Sequence, residues 1–543
     1  MSIKRRRVGR RSRLKPRPAR PVERPVSVER PARSDALPAS PREPAARGTT
    51  ETHLERRTGL LALVGALALG AALRIWLSFN DDGIYWPDEI YQSLEPAHRV
   101  VFGYGIRAWE FIDGARNWTF PAFVAVLFQI ASLLGLDEPR RYLVLTRLAF
   151  SAIGVATAFG TYRLARAYGA ATLPAACGAA VFALAAPMIY FAPRALSETA
   201  SALPVVLGFS FALWPKAPRW QRILGASLLG FAVLLRLHDA MFCIGLLAIF
   251  VGRRQFRAAI EAGAVLGVWA LLFGFIDRLT WGGWFHSAFT YVNANLSPEL
   301  YQWWATHPVG LGPPEYYLRV LWSSVPALAV LIAGLSLVAA RRAPGLLLVA
   351  IAFFLVYSAF PAKEFRYIAP VLPIFCALGA IGLDEIRVAA PRLTTDVTSD
   401  LSWIAPTLAV AVLVSSLFSA AGFHDLTFAD VGQYGPRNPT TSAYDSFGEV
   451  NRLLMAAHDQ PDLCGLKVEV STLDITGGYS YLHRPVPLYS ANGPARDSGY
   501  FNYIITSLGP GLPGEVRAVD RPVALVRLRD RCIPDDHYAW VLN

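Results

Sequence analysis

Apolar residues are grouped along this chain in long runs separated by short polar segments. Each run is close to the ~20 residues that an α-helix needs to cross a bilayer. The runs are 58–79, 119–135, 143–162, 171–191, 197–214, 221–236, 239–252, 258–276, 317–340, 344–360, 366–386 and 402–421. This pattern predicts an α-helical polytopic membrane protein with about 11–13 transmembrane helices, since 119–135 either crosses the bilayer or lies along it.

After residue 421 the pattern changes to short alternating runs. LKVEVS, VPLYS, FNYIIT and PVALVRLR are typical of short strands, and DSFGEVNRLLMAAH has the period of an amphipathic helix. We predict a small extracytoplasmic α/β domain over 422–543. Cys464 and Cys532 flank its strands and are a candidate disulfide if the domain faces an oxidising compartment.

Composition and charge narrow the class of protein. The chain is 54% hydrophobic and 17% charged, against about 25% charged in soluble domains. Of the net charge of +12, residues 1–57 carry +11. This Arg/Pro-rich tail has too little apolar content to fold, so we predict a disordered cytoplasmic tail. Because no folded basic face accompanies it, we expect no nucleic-acid partner.

The positive-inside rule orients the chain. With the basic tail in the cytoplasm, 58–421 forms the transmembrane domain, and both the first loop, 80–118, and the C-terminal domain lie outside. The composition, rich in Arg, Ala and Pro and poor in Lys, favours a bacterial plasma membrane over the endoplasmic reticulum.

The same topology gathers the charged residues of four distant outer segments at one face. They are Asp88, Glu89, Glu95, Glu110 and Arg116; Arg194 and Glu198; Arg236, His238 and Asp239; and Lys363, Glu364 and Arg366. Ionisable groups at the membrane are costly and usually face a functional cavity. We therefore predict a single extracytoplasmic site. No Cys or His spacing indicates a metal.

Four sequence blocks resemble one enzyme family. WPDEIYQSLEPAHRVVFGYGIRAWEF at 86–111, RALSETASALPVVLGF at 194–209, IDRLTWGGW at 276–284 and KEFRYIAPVLPIF at 363–375 are similar to blocks of glycosyltransferase family 22. This family comprises the GT-C mannosyltransferases of GPI-anchor and N-glycan assembly, which use polyprenyl- or dolichyl-phosphate mannose. Trp86 and Ala362 stand where the family's pattern has His, which bears on donor or acceptor preference.

The resemblance implies a GT-C-like fold and an inverting hexosyltransferase. Its expected reaction moves mannose from a polyprenyl-phosphate donor to a hydroxyl of a lipid-linked or cell-envelope glycan on the outer face of the membrane bilayer, without a metal or other cofactor. Asp88 matches the family's acidic position and is assigned as the base, with Glu89 as the second candidate. Lys363 and Arg366, then Arg116 and Arg236, are assigned to the donor phosphate. The substrate-binding candidates are Glu110, Arg194, Glu198, His238, Asp239 and Glu364.

Two other functions stay open from the residues alone. Many crossings are also typical of a transporter or lipid flippase, although such proteins place charge near the bilayer midplane and often have internal repeats. A non-catalytic GT-C relative is the other alternative, because two His positions of the motif differ.

Overall fold

The computed structural model describes residues 51–298, 302, 312–389, 401–433 and 438–542. Residues 1–50 of the predicted tail lie outside this part of the chain. The first helix begins at His53, five residues before the predicted boundary at 58. A reciprocal pair of hydrogen bonds caps it, because the Thr52 hydroxyl accepts the Glu55 N–H and the Glu55 carboxylate accepts the Thr52 N–H.

Each predicted apolar segment contains a helix, although 171–191 and 317–340 are each divided between two helices and 366–386 begins in a 3₁₀ turn. The helices are α1 His53–Asn80, α2 Pro87–Glu89, α3 Glu95–Phe102, α4 Thr119–Leu133, α5 Pro139–Ala167, α6 Thr172–Leu184, α7 Ala186–Phe191, α8 Ser197–Ala212, α9 Arg219–Leu235, α10 Ala240–Gly252, α11 Phe256–Trp281, α12 His286–Asn295, α13 Tyr316–Ser324, α14 Pro326–Val338, α15 Pro344–Ala359, α16 Leu372–Ala389, α17 Ile404–Ala421, α18 Gly448–His458 and α19 Gly478–Leu482. Within the described residues, α1, α5, α11 and α17 are long and apolar enough to span a bilayer, and several shorter apolar helices accompany them. The protein is thus a multi-pass helical membrane protein, and the number of crossings stays a prediction.

A buried arginine compensates a break between two of these helices. The chain is extended at Ala185, between α6 and α7, and Pro187 has no N–H to donate, so carbonyls near the end of α6 lose their helical partners. The Arg74 guanidinium of α1 donates to the carbonyls of Phe182 and Ala183 at 3.3 and 2.5 Å. Unsatisfied backbone groups are costly in an apolar surrounding, so Arg74 stabilises the broken segment.

The acidic first loop forms a helix that is interrupted by one wide turn. Between α2 and α3, residues Ile90–Leu94 form a π-helical turn in which the Glu95 N–H bonds the Ile90 carbonyl. Pro96 explains this turn, because it has no N–H for the carbonyl four residues earlier. The helix ends at Gly103, whose φ of 85° suits glycine.

This helix packs against protein on its apolar side. Ile90, Leu94 and Ala97 are buried in a core that they share with α4, α5 and the C-terminal domain. The loop is therefore a folded part of the outer surface, and its acidic residues have defined positions.

The C-terminal region is a small α/β domain. Its strands are β1 Leu466–Val468, β2 Leu488–Tyr489, β3 Tyr503–Ser507, β4 Glu515–Asp520 and β5 Val523–Arg527. They form one sheet in the order β2-β1-β3-β5-β4. The first strand is parallel to its two neighbours, and β5 is antiparallel to β3 and β4. Cys464 and Cys532, the candidate pair, form a disulfide bond.

A buried carboxylate joins the first loop to this domain. Glu95 accepts backbone N–H groups from Ile106, Tyr479 and Ser480 at 2.8, 3.1 and 3.0 Å. Gly478 allows this approach, because its φ is 54° and a Cβ there would lie 2.9 Å from Oε2 of Glu95. Burial raises the pKa of Glu95 to about 7, although the three N–H groups oppose the shift. Glu95 therefore connects the loop to the domain and is not part of the site described below.

We predict that Glu95→Gln destabilises this connection. The new amide NH₂ faces a backbone N–H in place of an accepting oxygen, which costs about 1–3 kcal/mol. Thermal unfolding of the purified protein and limited proteolysis around residue 422 measure the effect. The control is Glu515→Gln, at an exposed position of β4, where a surface pair contributes little. Equal unfolding temperatures for the two variants would contradict the prediction.

Candidate active site

One buried arginine holds three carboxylates, one from its own loop and two from distant segments. Arg366 lies in the 3₁₀ turn Phe365–Ile368 and forms an ion pair with Asp88. Its Nε is 2.5 Å from Glu364 Oε2, and its Nη1 is 3.4 Å from Glu198 Oε1. This arrangement brings together the first loop, the start of α8 and the loop before α16.

The three carboxylates differ in their exposure. The side chain of Asp88 is 22% exposed, whereas those of Glu198 and Glu364 are 5% and 11% exposed. Burial raises the pKa of Glu364, and the Arg366 guanidinium opposes that shift. Asp88 is therefore the carboxylate of this group that a substrate can reach.

Glu89, the neighbour of Asp88, faces the protein interior. Its carboxylate accepts the Tyr85 N–H at 2.8 Å and pairs with Arg194 Nη1 at 3.1 Å. Arg194 is also buried and pairs with Asp81 at 2.8 Å. It donates to the Gly83 carbonyl as well. These contacts fix the start of the first loop, and neither Glu89 nor Arg194 lines the pocket described below.

A second arginine continues the chain of ion pairs from Glu198. The Glu198 carboxylate lies 3.1 Å from Arg236 Nη1, and Arg236 Nη2 donates to the Tyr357 hydroxyl at 3.0 Å. Arg236 occupies the extended break after α9 and precedes a 3₁₀ turn that ends at the fully buried Asp239. We call the connected set Asp88, Arg366, Glu198 and Arg236 the ion-pair ladder.

A pocket of about 50 Å³ lies beside the ladder. Its polar lining residues are Gln92, Arg116, Asn117, Ser197, Arg236, His238, Ser287 and Tyr291. The Arg116 guanidinium lies 5.0 Å from the centre of the Tyr291 ring. Its buried Nε has no hydrogen-bond partner, and no ion pair reaches Arg116 among the residues that the structure describes. Arg116 is thus positioned to meet an anionic group in the pocket.

His238 adds a neutral polar group to this pocket. Its Nε2 lies 3.4 Å from the Tyr291 hydroxyl. Burial lowers the pKa of His238 to about 3, and the charges of Arg236 and Arg116 lower it further. His238 is therefore an uncharged hydrogen-bonding group at neutral pH.

Glu110 interacts both with residues that line the pocket and with Asp88. It lies in the 3₁₀ turn Trp109–Phe111 and accepts a hydrogen bond from Gln92 Nε2 at 2.8 Å. Burial raises the pKa of Glu110, Arg116 opposes the shift, and Asp88 adds to it. The carboxyl group of Glu110 thus responds to charge both in the pocket and at the ladder.

Lys363 is directed away from the pocket. Its ammonium group donates to the carbonyls of Tyr357 and Ser358 at 3.3 and 2.9 Å, and to that of Phe360. Burial lowers the pKa of Lys363. Because these carbonyls lie at the end of α15, the ammonium satisfies the polar end of that helix.

The site also contains residues that the sequence interpretation did not select. They are Asp81, Gln92, Tyr291, Tyr357 and Tyr367. Gln92 and Tyr367 lie inside the sequence blocks 86–111 and 363–375, so those blocks contained a signal for them. Tyr291 and Tyr357 have no such signal, because only the fold places them beside His238 and Arg236.

The sequence of residues 66–463 matches the model of the Alg9-like mannosyltransferase family. The chain belongs to this family. It is therefore a glycosyltransferase, as the sequence blocks predicted.

Named mannosyltransferases are similar to this family member over most of its length. GPI alpha-1,2-mannosyltransferase 3 of Bos taurus is 24% identical over 80% of this chain and 74% of its own. GPI mannosyltransferase 3 of Yarrowia lipolytica is 26% identical over 78% of this chain and 76% of its own. Mannosyltransferase APTG1 of Arabidopsis thaliana is 27% identical over 60% of this chain, which spans 59% of that relative.

Solved structures establish the fold of this mannosyltransferase family member. ArnT from Cupriavidus metallidurans bound to undecaprenyl phosphate has a TM-score of 0.54 at 17% identity, over 88% of this chain and 99% of its own. The apo oligosaccharyltransferase of Archaeoglobus fulgidus also has a TM-score of 0.54, at 13% identity, over 84% and 70%. These similarities confirm the predicted GT-C fold.

We predict that Glu89→Gln lowers the stability of this mannosyltransferase more than Asp88→Asn does. Glu89 is buried against Arg194, so its neutralisation leaves a buried guanidinium with one carboxylate partner fewer, at a cost of about 1–3 kcal/mol. Asp88 is partly exposed, and Arg366 keeps two other carboxylates. Unfolding temperatures of the two matched variants in detergent provide the measurement. A lower unfolding temperature for Asp88→Asn would contradict the proposed division of roles.

Proposed function

We propose that this enzyme transfers a mannosyl group, with inversion, from a polyprenyl-phosphate donor to a hydroxyl of a lipid-linked or cell-envelope glycan at the outer membrane face. The observation that carries the proposal is the position of Asp88, a partly exposed carboxylate that Arg366 and Glu198 connect to Arg236, which lines the pocket together with Arg116. The similarity to an enzyme bound to undecaprenyl phosphate supports this class of donor.

In this reaction Asp88 is the general base. It accepts the proton of the acceptor hydroxyl as that oxygen attacks the anomeric carbon and the bond from this carbon to the phosphate oxygen breaks. Arg366 fixes the direction of the carboxylate. Because Glu89, Glu198 and Glu364 are buried and paired, none of them is proposed as the base.

The leaving group is a polyprenyl phosphate, whose charge must be stabilised. We assign this role to Arg116 and Arg236, with His238 as a neutral donor of a hydrogen bond. Lys363 and Arg366, which the sequence motif suggested for the phosphate, are proposed to hold the end of α15 and the carboxylate of Asp88. Glu110 is proposed to bind a sugar hydroxyl, since it lies between the pocket and the base.

We further propose that transfer needs no metal ion, because fixed guanidinium groups supply the positive charge at the phosphate. Incubation with EDTA should leave transfer unchanged within a factor of about two, whereas loss of activity that Mg²⁺ or Mn²⁺ restores would overturn the metal-free proposal.

The active face and the C-terminal domain are proposed to be extracytoplasmic, which follows from the distribution of basic loops. The bacterial plasma membrane is proposed from the composition of the chain.

We predict that Asp88→Asn reduces transfer by roughly 100- to 10,000-fold, the usual contribution of a general base. The asparagine keeps the size of the side chain but cannot accept the proton. The assay follows radiolabelled mannose from a polyprenyl-phosphate donor into the lipid-linked glycans of membranes that lack the wild-type protein. The control is Asp113→Asn, an exposed position of the same loop. Wild-type rates for Asp88→Asn would exclude it as the base.

We predict that Arg116→Gln weakens use of the donor, with kcat/KM for the donor falling by roughly 10- to 100-fold, because a charge-assisted hydrogen bond to the phosphate is lost. The kcat/KM for the acceptor should change much less. Arg107→Gln is the matched control, since Arg107 is an exposed arginine of the same loop. Equal kinetics for the two variants would remove Arg116 from the phosphate site.

A further inference from the structure

A second pocket, of about 430 Å³, lies at the other end of α9 from Arg236. It is formed by the connection between α8 and α9 and by the connection between α10 and α11. With 17 residues in α9, the two sites are about 25 Å apart. The membrane topology predicted by the positive-inside rule places this second pocket at the cytoplasmic face. It therefore has no part in the reaction proposed above.

Five cationic side chains and no carboxylate line this pocket in the described part of the chain. They are Lys216, Arg222, Arg253, Arg254 and Arg257. Glu261, which lies behind them, pairs with Arg222 and Arg257 at 3.1 and 3.2 Å. Arg253 donates to the Tyr168 hydroxyl at 3.2 Å. The side chains of Lys216 and Arg254 form no ion pair within the described residues, so the pocket has a surplus of positive charge.

The backbone around this pocket also favours an anion. Gln255 precedes α11 without a side-chain cap, and residues 256–258 line the pocket, so N–H groups of the first turn are available. Lys216 and Arg254 have φ values of 53° and 57°. Each residue lies in a turn that follows a helix: the Ala217 N–H bonds the Trp214 carbonyl, and the Gln255 N–H bonds the Phe250 carbonyl. The two turns place the unpaired cations in the lining of the pocket.

We propose that this pocket binds a phosphate group, which the headgroup of an anionic phospholipid supplies. Guanidinium groups and helical N–H groups are the preferred donors to phosphate oxygens. Trp214 and Phe256 also line the pocket and are 37% and 58% exposed, so apolar surface adjoins the cationic surface. Basic pockets between helices at the cytoplasmic face bind acidic headgroups in this way, with the acyl chains alongside the helices.

The test uses two double variants that remove the same charge. The pocket variant combines Lys216→Gln and Arg254→Gln, and the control variant combines Arg56→Gln and Arg341→Gln. The control residues are exposed cations that do not line the pocket. Native mass spectrometry of the purified full-length protein measures retention of phosphatidylglycerol against phosphatidylcholine. A parallel thermal-shift titration uses inorganic phosphate without added lipid. Mannosyl transfer should be unchanged in both variants, which shows that they fold.

The expected result is a Kd for phosphatidylglycerol that rises roughly 10- to 30-fold in the pocket variant and less than about twofold in the control. Inorganic phosphate that raises the unfolding temperature of the wild type but not of the pocket variant, without preferential retention of phosphatidylglycerol over phosphatidylcholine, supports the phosphate site with a soluble ligand as its source. Equal lipid retention and equal thermal shifts in the wild type and both variants would overturn the proposal. A loss of retention as large in the control as in the pocket variant would also overturn it, since bulk charge would explain the binding.

Discussion

Charges that are buried beside a membrane must be neutralised by neighbours, and this constraint organises the part of the protein that contains the ion-pair ladder. A buried ion without a partner costs several kcal/mol. The ion-pair ladder satisfies each charge with a residue from another segment: Asp88 with Arg366, Arg366 with Glu198, and Glu198 with Arg236. The first loop, α8, the break after α9 and the turn before α16 therefore meet at one place, and the geometry of the proposed active site results from this requirement.

The ladder also explains why residues of one type, close in sequence, have different roles. Asp88 and Glu89 are consecutive, but the helix that begins at Pro87 directs Asp88 to the partly exposed side and Glu89 to Arg194. Lys363 lies three residues before Arg366, yet it satisfies the carbonyls at the end of α15. Each role depends on the partner that the fold supplies. Arg116 forms no ion pair with a carboxylate among the described residues, and we propose that its charge is met by the substrate.

The C-terminal domain supports the same arrangement by its contacts with the first loop. Glu95 binds N–H groups of α19, and the apolar face of the loop helix shares a core with that domain. The helix that carries Asp88 is thus held on one side by the ladder and on the other by the domain. Preorganisation of this kind matters for the proposed base, because its distance to the proposed acceptor hydroxyl must be maintained while the proposed lipid-borne donor enters.

The sequence alone determined the features that depend on local pattern. The apolar segments and the change to a small α/β domain were predicted, because hydrophobic period is a property of neighbouring residues. The family and the GT-C fold were predicted from the resemblance of four sequence blocks to known enzymes. It also selected the charged residues of the four outer segments. Only the tertiary structure decided that Glu95 joins two regions, that Lys363 faces a helix end, that Arg74 satisfies the break near Ala185, and that Tyr291 and Tyr357 line the site. These outcomes depend on side-chain direction, as for Lys363, or on partners in distant segments, as for Glu95 and Arg74, and no local pattern specifies either.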